Sequence, residues 1–218
     1  MSPRGVAIPD VRQRLFDAAV RVLSREGPAA LTSRAITGEA GCAKGMLHAH
    51  FDGLDEFVAE LVLDRFARCA RQAAELPGRA GRATVADNLG GLALALLTSL
   101  DPTMAGLAMT RPATSLRIRQ ALEAGAPGLD AIQGSITAYL DAEVRLGRLA
   151  DTTDTASIAL ALVGTLHHLV MTGWTGTPDP RDQALRLIGL LVGERPGDGA
   201  GSEDSEQPPH GSAEDEVA

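Results

Sequence analysis

The sequence predicts an all-α protein: a head of three short helices on a larger helical body, about nine to ten helices in all. Three observations carry that reading. No alternating apolar–polar run exceeds four residues, so strand signals are almost absent. Apolar residues recur instead at three- and four-residue intervals along most of the chain. Breaks at Gly27-Pro28, Asp101-Pro102, Arg111-Pro112, Ala126-Pro127-Gly128 and Thr177-Pro178 cut the pattern into helix-length segments.

Taken in order, Val11 to Arg25 places Leu15, Ala18, Ala19, Val22 and Leu23 on one face, and Gly27-Pro28 closes that helix. Thr32 or Ser33 can cap a second helix that ends near Ala40, with Gly41 as its stop. A third helix is expected from about Ala43 to Phe51. Gly53 opens a fourth, with Asp55 and Glu56 in the first turn, where carboxylates suit the helix dipole. It carries Phe57, Leu61, Val62 and Phe66 inward and stops near Pro77-Gly78. "PGRAGRA" reads as a linker, and further helices are expected at 84–100, 103–109, 113–124, 128–147, 155–172 and 181–193.

This divides the chain into a loose arm (1–10, with Pro3 and Pro9), a head (11–53), a body (54–195) and a tail (196–218). The composition, 44% apolar and 22% charged, calls for a packed core. The net charge of −8 is concentrated in the tail, which from Gly197 onward holds seven acidic residues and no Lys or Arg. Such a segment, low in apolar residues, is expected to be disordered. Residues 1 to 51 hold seven basic residues against four acidic ones, leaving +3. Local charge therefore permits a nucleic-acid partner that the global charge opposes. Two cysteines in different helices point to a reducing compartment, so a cytoplasmic protein is expected. No run of eighteen uncharged apolar residues and no basic start before an apolar block is read, so neither membrane span nor signal peptide is expected.

A short helix, a glycine turn at Gly41 and a second short helix make a helix-turn-helix. In that motif the second helix lies in the major groove and the first braces it. Ile36, Ala40 and Leu47 would lock the pair, with Phe16, Ala19 and Phe51 completing a small core. The outward face then shows Ala43, Lys44, Gly45, Met46, His48, Ala49 and His50.

The stretch "DAAVRVLSREGPAALTSRAITGEAGCAKGMLHAHF" followed by "DEFVAEL" resembles the DNA-binding head of the TetR/AcrR family of bacterial transcriptional regulators. The resemblance covers Leu15 to Leu61, about a fifth of the chain; the remainder is similar only in helical plan. It implies that Lys44 contacts phosphate or base and that Gly45 lets the helix approach the DNA backbone. Thr32, Ser33 and Arg34 stand where the family's second helix meets phosphates. His48 and His50 stand where the family has aromatic or His residues, the first of them a phosphate-touching Tyr. A histidine on phosphate would make binding pH-sensitive. Three positions depart from the pattern. Ala43 replaces a capping Ser or Thr, a loss of roughly 0.5–2 kcal/mol. Leu54 replaces a frequent Lys at the start of the fourth helix. Met46 replaces a common Thr and offers an apolar contact suited to a thymine methyl. Together they imply fewer phosphate contacts and a shallower salt dependence.

Other readings of the same residues are structural. His48 and His50 lie two apart on different sides of a helix, a poor geometry for a shared metal. Cys42, at a turn position that is usually apolar, is by default a small buried hydrophobe, with a redox switch as the minority reading.

In the body, "TASIALALVGTLHHLVMTGW" is apolar on nearly every side and must be covered on two sides. With "DQALRLIGLL" it resembles the helix pair by which members of the family form a homodimer. That resemblance places Ala159, Val163, Leu166, Val170, Leu185, Ile188 and Leu191 near the two-fold interface, with Gly164 permitting close approach. It also places a pocket for a small-molecule effector inside the body. The candidate lining is Phe66, Leu96, Met104, Leu107, Met109, Leu116, Arg117, Tyr139, His167, His168 and Trp174. With six aromatic residues in the whole chain, an aliphatic, methionine-adapted cavity is expected rather than a stacking cage.

No phosphate loop, HExxH, GxSxG or Cys/His metal spacing occurs, so neither enzyme activity nor a cofactor or metal is expected. The expected function is a ligand-released repressor that binds a palindromic double-stranded DNA operator as a dimer. The alternative is a helical small-molecule-binding protein with weak or no DNA binding, because of Ala43 and Leu54.

Overall fold

The computed structural model describes residues 11–100, 102–172 and 178–193. The arm at 1–10, the acidic tail and Trp174 therefore lie outside the described residues. The head holds α1 (Val11–Glu26), α2 (Ser33–Glu39) and α3 (Met46–His50), and α4 (Leu54–Ala74) leads into the body. The body continues with α5 (Val85–Ser99), α6 (Pro102–Met109), α7 (Pro112–Glu123), α8 (Leu129–Arg145), α9 (Thr155–Thr172) and α10 (Pro180–Val192). Among the described residues there is no strand.

Local chemistry accounts for most of the boundaries. Gly27 takes φ 78° after α1, and Gly41 takes φ 62° in the turn after α2, a left-handed conformation that glycine adopts without a Cβ clash. The Thr32 hydroxyl oxygen accepts from the Ala35 amide at 3.1 Å, and that of Thr84 accepts from Asp87 at 2.9 Å. Proline occupies the first position of α6, α7 and α10, where its missing N–H is no loss. Each of these helices thus begins one residue earlier than the sequence reading put it.

The clearest difference lies in α3. The expected helix of 43–51 is five residues long, beginning at Met46. Gly45 is its N-cap and supplies no side-chain oxygen, while Ala43 and Lys44 lie in the preceding turn, where the Met46 amide bonds to Ala43 O at 2.9 Å. Ala43 offers the chain no reason to begin the helix there.

There are two cores. In the head, Leu15, Ala19, Ile36, Leu47 and Phe51 are buried together, and Phe16, Phe51 and Phe57 meet with centroids 5.0 to 5.8 Å apart. This core does not stop at residue 53. It takes in Phe57, Val58 and Leu61 of α4, and Met104 and Leu107 of α6. The body core joins the second half of α4 with α5, α8, α9 and α10.

The "PGRAGRA" linker is anchored rather than loose. Glu143 of α8, fully buried, accepts from the Gly81 amide at 3.2 Å on one oxygen, and Arg148 lies 3.3 Å from the other without hydrogen-bond geometry. Arg148 also donates to Ala83 O. Asn88 donates to Arg82 O at 2.6 Å and to the Tyr139 hydroxyl at 3.0 Å. Burial, and then the hydrogen bond to Glu143, raise the Tyr139 phenol well above its ordinary ionisation range. Burial likewise pushes the Cys69 thiol up to about 11, so it is an inert core residue. Cys42 is half-buried against the head core.

Among the described residues, α9 is the one single helix long and apolar enough to cross a membrane, although Thr, Ser and His residues interrupt it. Its inner side packs on α8, α10, α6 and α5. Its outer side carries Leu160 and Met171, both exposed.

Candidate nucleic-acid interface and body cavity

The α2–turn–α3 unit presents the expected face. Ala43, Lys44, Gly45, His48, Ala49 and His50 are exposed and Met46 is half-buried, while Leu47, on the opposite side, is fully buried against Ile36 and the phenylalanine cluster. Thr32 and Arg34 are exposed and Ser33 is half-buried at the start of α2. Leu54, at the first position of α4, is half-buried against the head core.

The sequence count of +3 overstates the positive charge that this face can offer. Arg12 donates to His50 O and to Glu60, both at 3.2 Å, and lies 4.3 Å from the Phe51 ring centre. Arg14 donates to Ala40 O at 2.8 Å. Arg21 and Arg25 pair with Glu39 at 2.7 and 3.0 Å and hold its carboxyl below the usual carboxylate range, Arg21 most strongly. These arginines brace the helices against one another. Among the described head residues, Arg34 and Lys44 are the Arg and Lys side chains outside any ion pair or hydrogen bond; Arg34 stands in the first turn of α2 and Lys44 in the turn before α3. Those positions suit phosphate.

The uncapped start of α3 makes a direct test. Ala43→Ser places a side-chain acceptor beside the Met46 amide, which otherwise bonds to Ala43 O, and should let α3 begin at residue 44, a gain of roughly 0.5–2 kcal/mol in helix stability. The expected result is a higher melting temperature and operator binding tighter by about 2- to 30-fold. Unchanged values in thermal unfolding and DNA titration would mean that the cap is not what limits this helix.

In the body, α4, α6, α7 and α9 line a cavity of about 290 Å³ that opens to the surface past the exposed Met109, Arg119 and Met171. Four of the sequence candidates line it: Phe66, Met104, Met109 and His167. The others do not. Leu96 borders a separate hollow of about 10 Å³, and Leu107 faces the head core. Leu116 is exposed, Arg117 sits 3.8 Å from Glu56, Tyr139 belongs to the buried Glu143 network and His168 is exposed. Residues missed include Val62 and Arg65 of α4, Ile118 and Leu122 of α7, and Met171. The three- and four-residue spacing of Val62, Arg65 and Phe66 was a usable signal, since it puts all three on one face.

The proposed interface residues also need correction. Ala159, Val163, Leu166, Val170 and Ile188 are buried within the single chain, and Val170 lines the cavity. Leu191 is half-buried and Leu185 is 40% exposed. An all-round apolar helix does not reveal which face turns inward; the large exposed apolar side chains of α9 and α10 are Leu160 (59%), Met171 (39%), Leu185 (40%) and Leu190 (81%). Gly164 is exposed, with nothing within 4 Å of where a Cβ would stand.

Residues 15–61 match the family model of bacterial regulatory proteins, tetR family. No curated protein sequence matches the chain. Among solved structures, the chain is similar to a TetR-family transcriptional regulator from Mesorhizobium loti (17% identity, 84% of this chain and 93% of that chain, TM-score 0.62). It is also similar to the fatty acid degradation regulator FadR from Bacillus halodurans (19% identity, 86% and 97%, TM-score 0.58). A third is SmeT, repressor of a Stenotrophomonas maltophilia multidrug efflux pump (18% identity, 84% and 89%, TM-score 0.58). At these identities the structures speak for the fold and the head match for the DNA-binding unit. Together they identify residues 15–61 as a tetR-family DNA-binding head and give the whole chain the fold of these regulators.

Proposed function

We propose that the chain is a dimeric repressor that occupies a palindromic operator in the cytoplasm and is released by a small molecule bound in the body. The observation that carries this reading is Met104. Its side chain lines the body cavity and is also buried in the head core, so a ligand filling the cavity presses on a residue that supports the head. A second tie runs alongside it. Arg111, just before the cavity-lining α7, pairs with Asp55 at 2.7 Å, and the Thr114 hydroxyl donates to Asp55 O at 3.1 Å. Both grip the first turn of α4, the helix that enters the body from the head. A ligand that binds the DNA-free arrangement more tightly shifts the population away from DNA. Exposed Leu160 and Leu190 support a second copy across α9 and α10, and a two-fold dimer matches a palindrome. SmeT, similar in fold, is itself a repressor.

Selection of bound fragments from a random duplex library, with Lys44→Ala in parallel, tests the reading. The parent is expected to enrich a palindrome. Lys44→Ala weakens binding about uniformly across sequences and lowers the salt slope by about one per protomer. No enrichment at any salt would favour the alternative, a ligand-binding protein with weak DNA affinity, to which the uncapped α3 and the half-buried Leu54 point.

A further inference from the structure

We propose that the body cavity takes an aliphatic carboxylate, and that its carboxylate group draws Arg65 away from Asp17, an ion pair that joins the body to the head. The proposal deepens the ligand-released reading above and rests on it. The cavity wall is largely apolar, aliphatic apart from Phe66 and the His167 imidazole, with Met104, Met109 and Met171 providing adaptable contact. The one hydroxyl on its wall, that of Ser115, is already donated to Ala108 O at 2.7 Å. A polar ligand body would lose its water there without replacement. At about 290 Å³ the space is near the small end of ligand sites, about 300–1,000 Å³, which suits one unbranched chain.

Charge selects the polar end. The charged side chains that line the cavity are Arg65 and Arg119; no Asp or Glu lines it. Arg119 is largely exposed and lies 3.8 Å from Glu123, so its charge is partly answered at the rim. Arg65 is only 16% exposed, and its ion-pair partner is Asp17 of α1 at 3.9 Å, the far limit of such a contact. Asp17 is 48% exposed and also accepts from Gln13 at 2.7 Å. A half-buried guanidinium with so distant a partner favours an anion that can approach to hydrogen-bond distance. An ammonium ligand would meet the same guanidinium as a like charge.

The same residue supplies a route to the head. Asp17 belongs to α1, next to Phe16 and Ala18 of the head core. The ligand and Asp17 compete for one guanidinium, so binding in the body weakens a tie to the head, and the coupling is reciprocal.

Calorimetric titration of the full chain with decanoate, decanol and decyltrimethylammonium, each below its micelle concentration, reads the selectivity. Decanoate is expected to bind about 10- to 100-fold tighter than decanol, with the cation weakest. Arg65→Gln should bring decanoate down to the affinity of decanol without changing decanol itself. Asp17→Asn should tighten decanoate alone, because the competitor has gone; a packing role for Arg65 would not produce that pattern. Arg65→Lys, which keeps the charge, guards against misfolding and should retain part of the preference. Equal binding of the cation and decanoate, or a decanoate preference that survives Arg65→Gln, overturns the proposal. If a cationic or neutral chain binds and loosens the operator complex, the anion assignment fails and the ligand-released regulator stands. If no chain of any charge binds while operator binding is intact, both fail.

Discussion

Leu190→Arg combined with Leu160→Arg is expected to give folded monomers whose operator affinity falls by roughly 10²- to 10⁴-fold, the contribution of joining two half-site contacts in one particle. Both leucines are exposed, at 81% and 59%, so the change should cost the fold itself no more than about 0.5 kcal/mol. The loss arises between copies. The inner face of α9, with Ala159, Leu162 and Leu166, is consumed by the body core. The outer face, with Leu160, Ala161, Gly164, His167, His168 and Met171, is left uncovered by the chain. A guanidinium at either leucine would have to be buried without a partner if a second copy docked there. Sedimentation gives the mass and DNA titration the affinity. An unchanged mass would move the interface elsewhere; monomers with parental affinity would remove the need for a dimer.

Arg148→Met should lower stability by about 3 kcal/mol, the low end for breaking a buried ion pair, because Arg148 is itself about a third exposed. For a chain of this size that is about 6–12 °C in melting temperature. The cost comes from Glu143, left in the core without a counter-charge while its other oxygen still holds Gly81. Adding Glu143→Leu should return part of the loss, since the uncompensated charge disappears with it. Tyr139 adds a pH signature. Its folded ionisation lies above its unfolded one, so its contribution to stability is complete below about pH 10 and fades above that as the unfolded phenol ionises. Tyr139→Phe should flatten the alkaline limb of the stability curve followed by circular dichroism. An unchanged limb would assign the alkaline loss to other groups.

Much of this organisation was legible in the residues, and the exceptions have physical causes. Helix positions followed from apolar spacing and from glycine and proline breaks, because those are local properties. The start of α3 was misplaced by three residues because the family pattern expects a cap at 43 and Ala43 does not provide one. On α9 the two faces are about equally apolar, so the side that turned inward was a matter of what α8 and α10 presented to it. Arg117 was expected in the cavity and instead meets Glu56. Arg65, which does line the cavity, was passed over because a charged residue in a helix ordinarily reads as a solvated face. The net charge of the head was countable, but its availability was not. Only tertiary contacts reveal that Arg12, Arg14, Arg21 and Arg25 are spent on the head's own helices.

Met104 and Leu107 sit in the head core although they lie about fifty residues beyond α3 in the chain. This bears on modular engineering. A fragment ending near residue 53 would expose the side of the Phe16–Phe51–Phe57 cluster that α4 and α6 cover. It should express as an unstable, aggregation-prone peptide. A chimaera that moves this reading head onto a foreign sensor must carry the first two turns of α4 and bring a matching α6 surface. Transplanting the helix-turn-helix alone would import its contact residues without the scaffold that holds them in register.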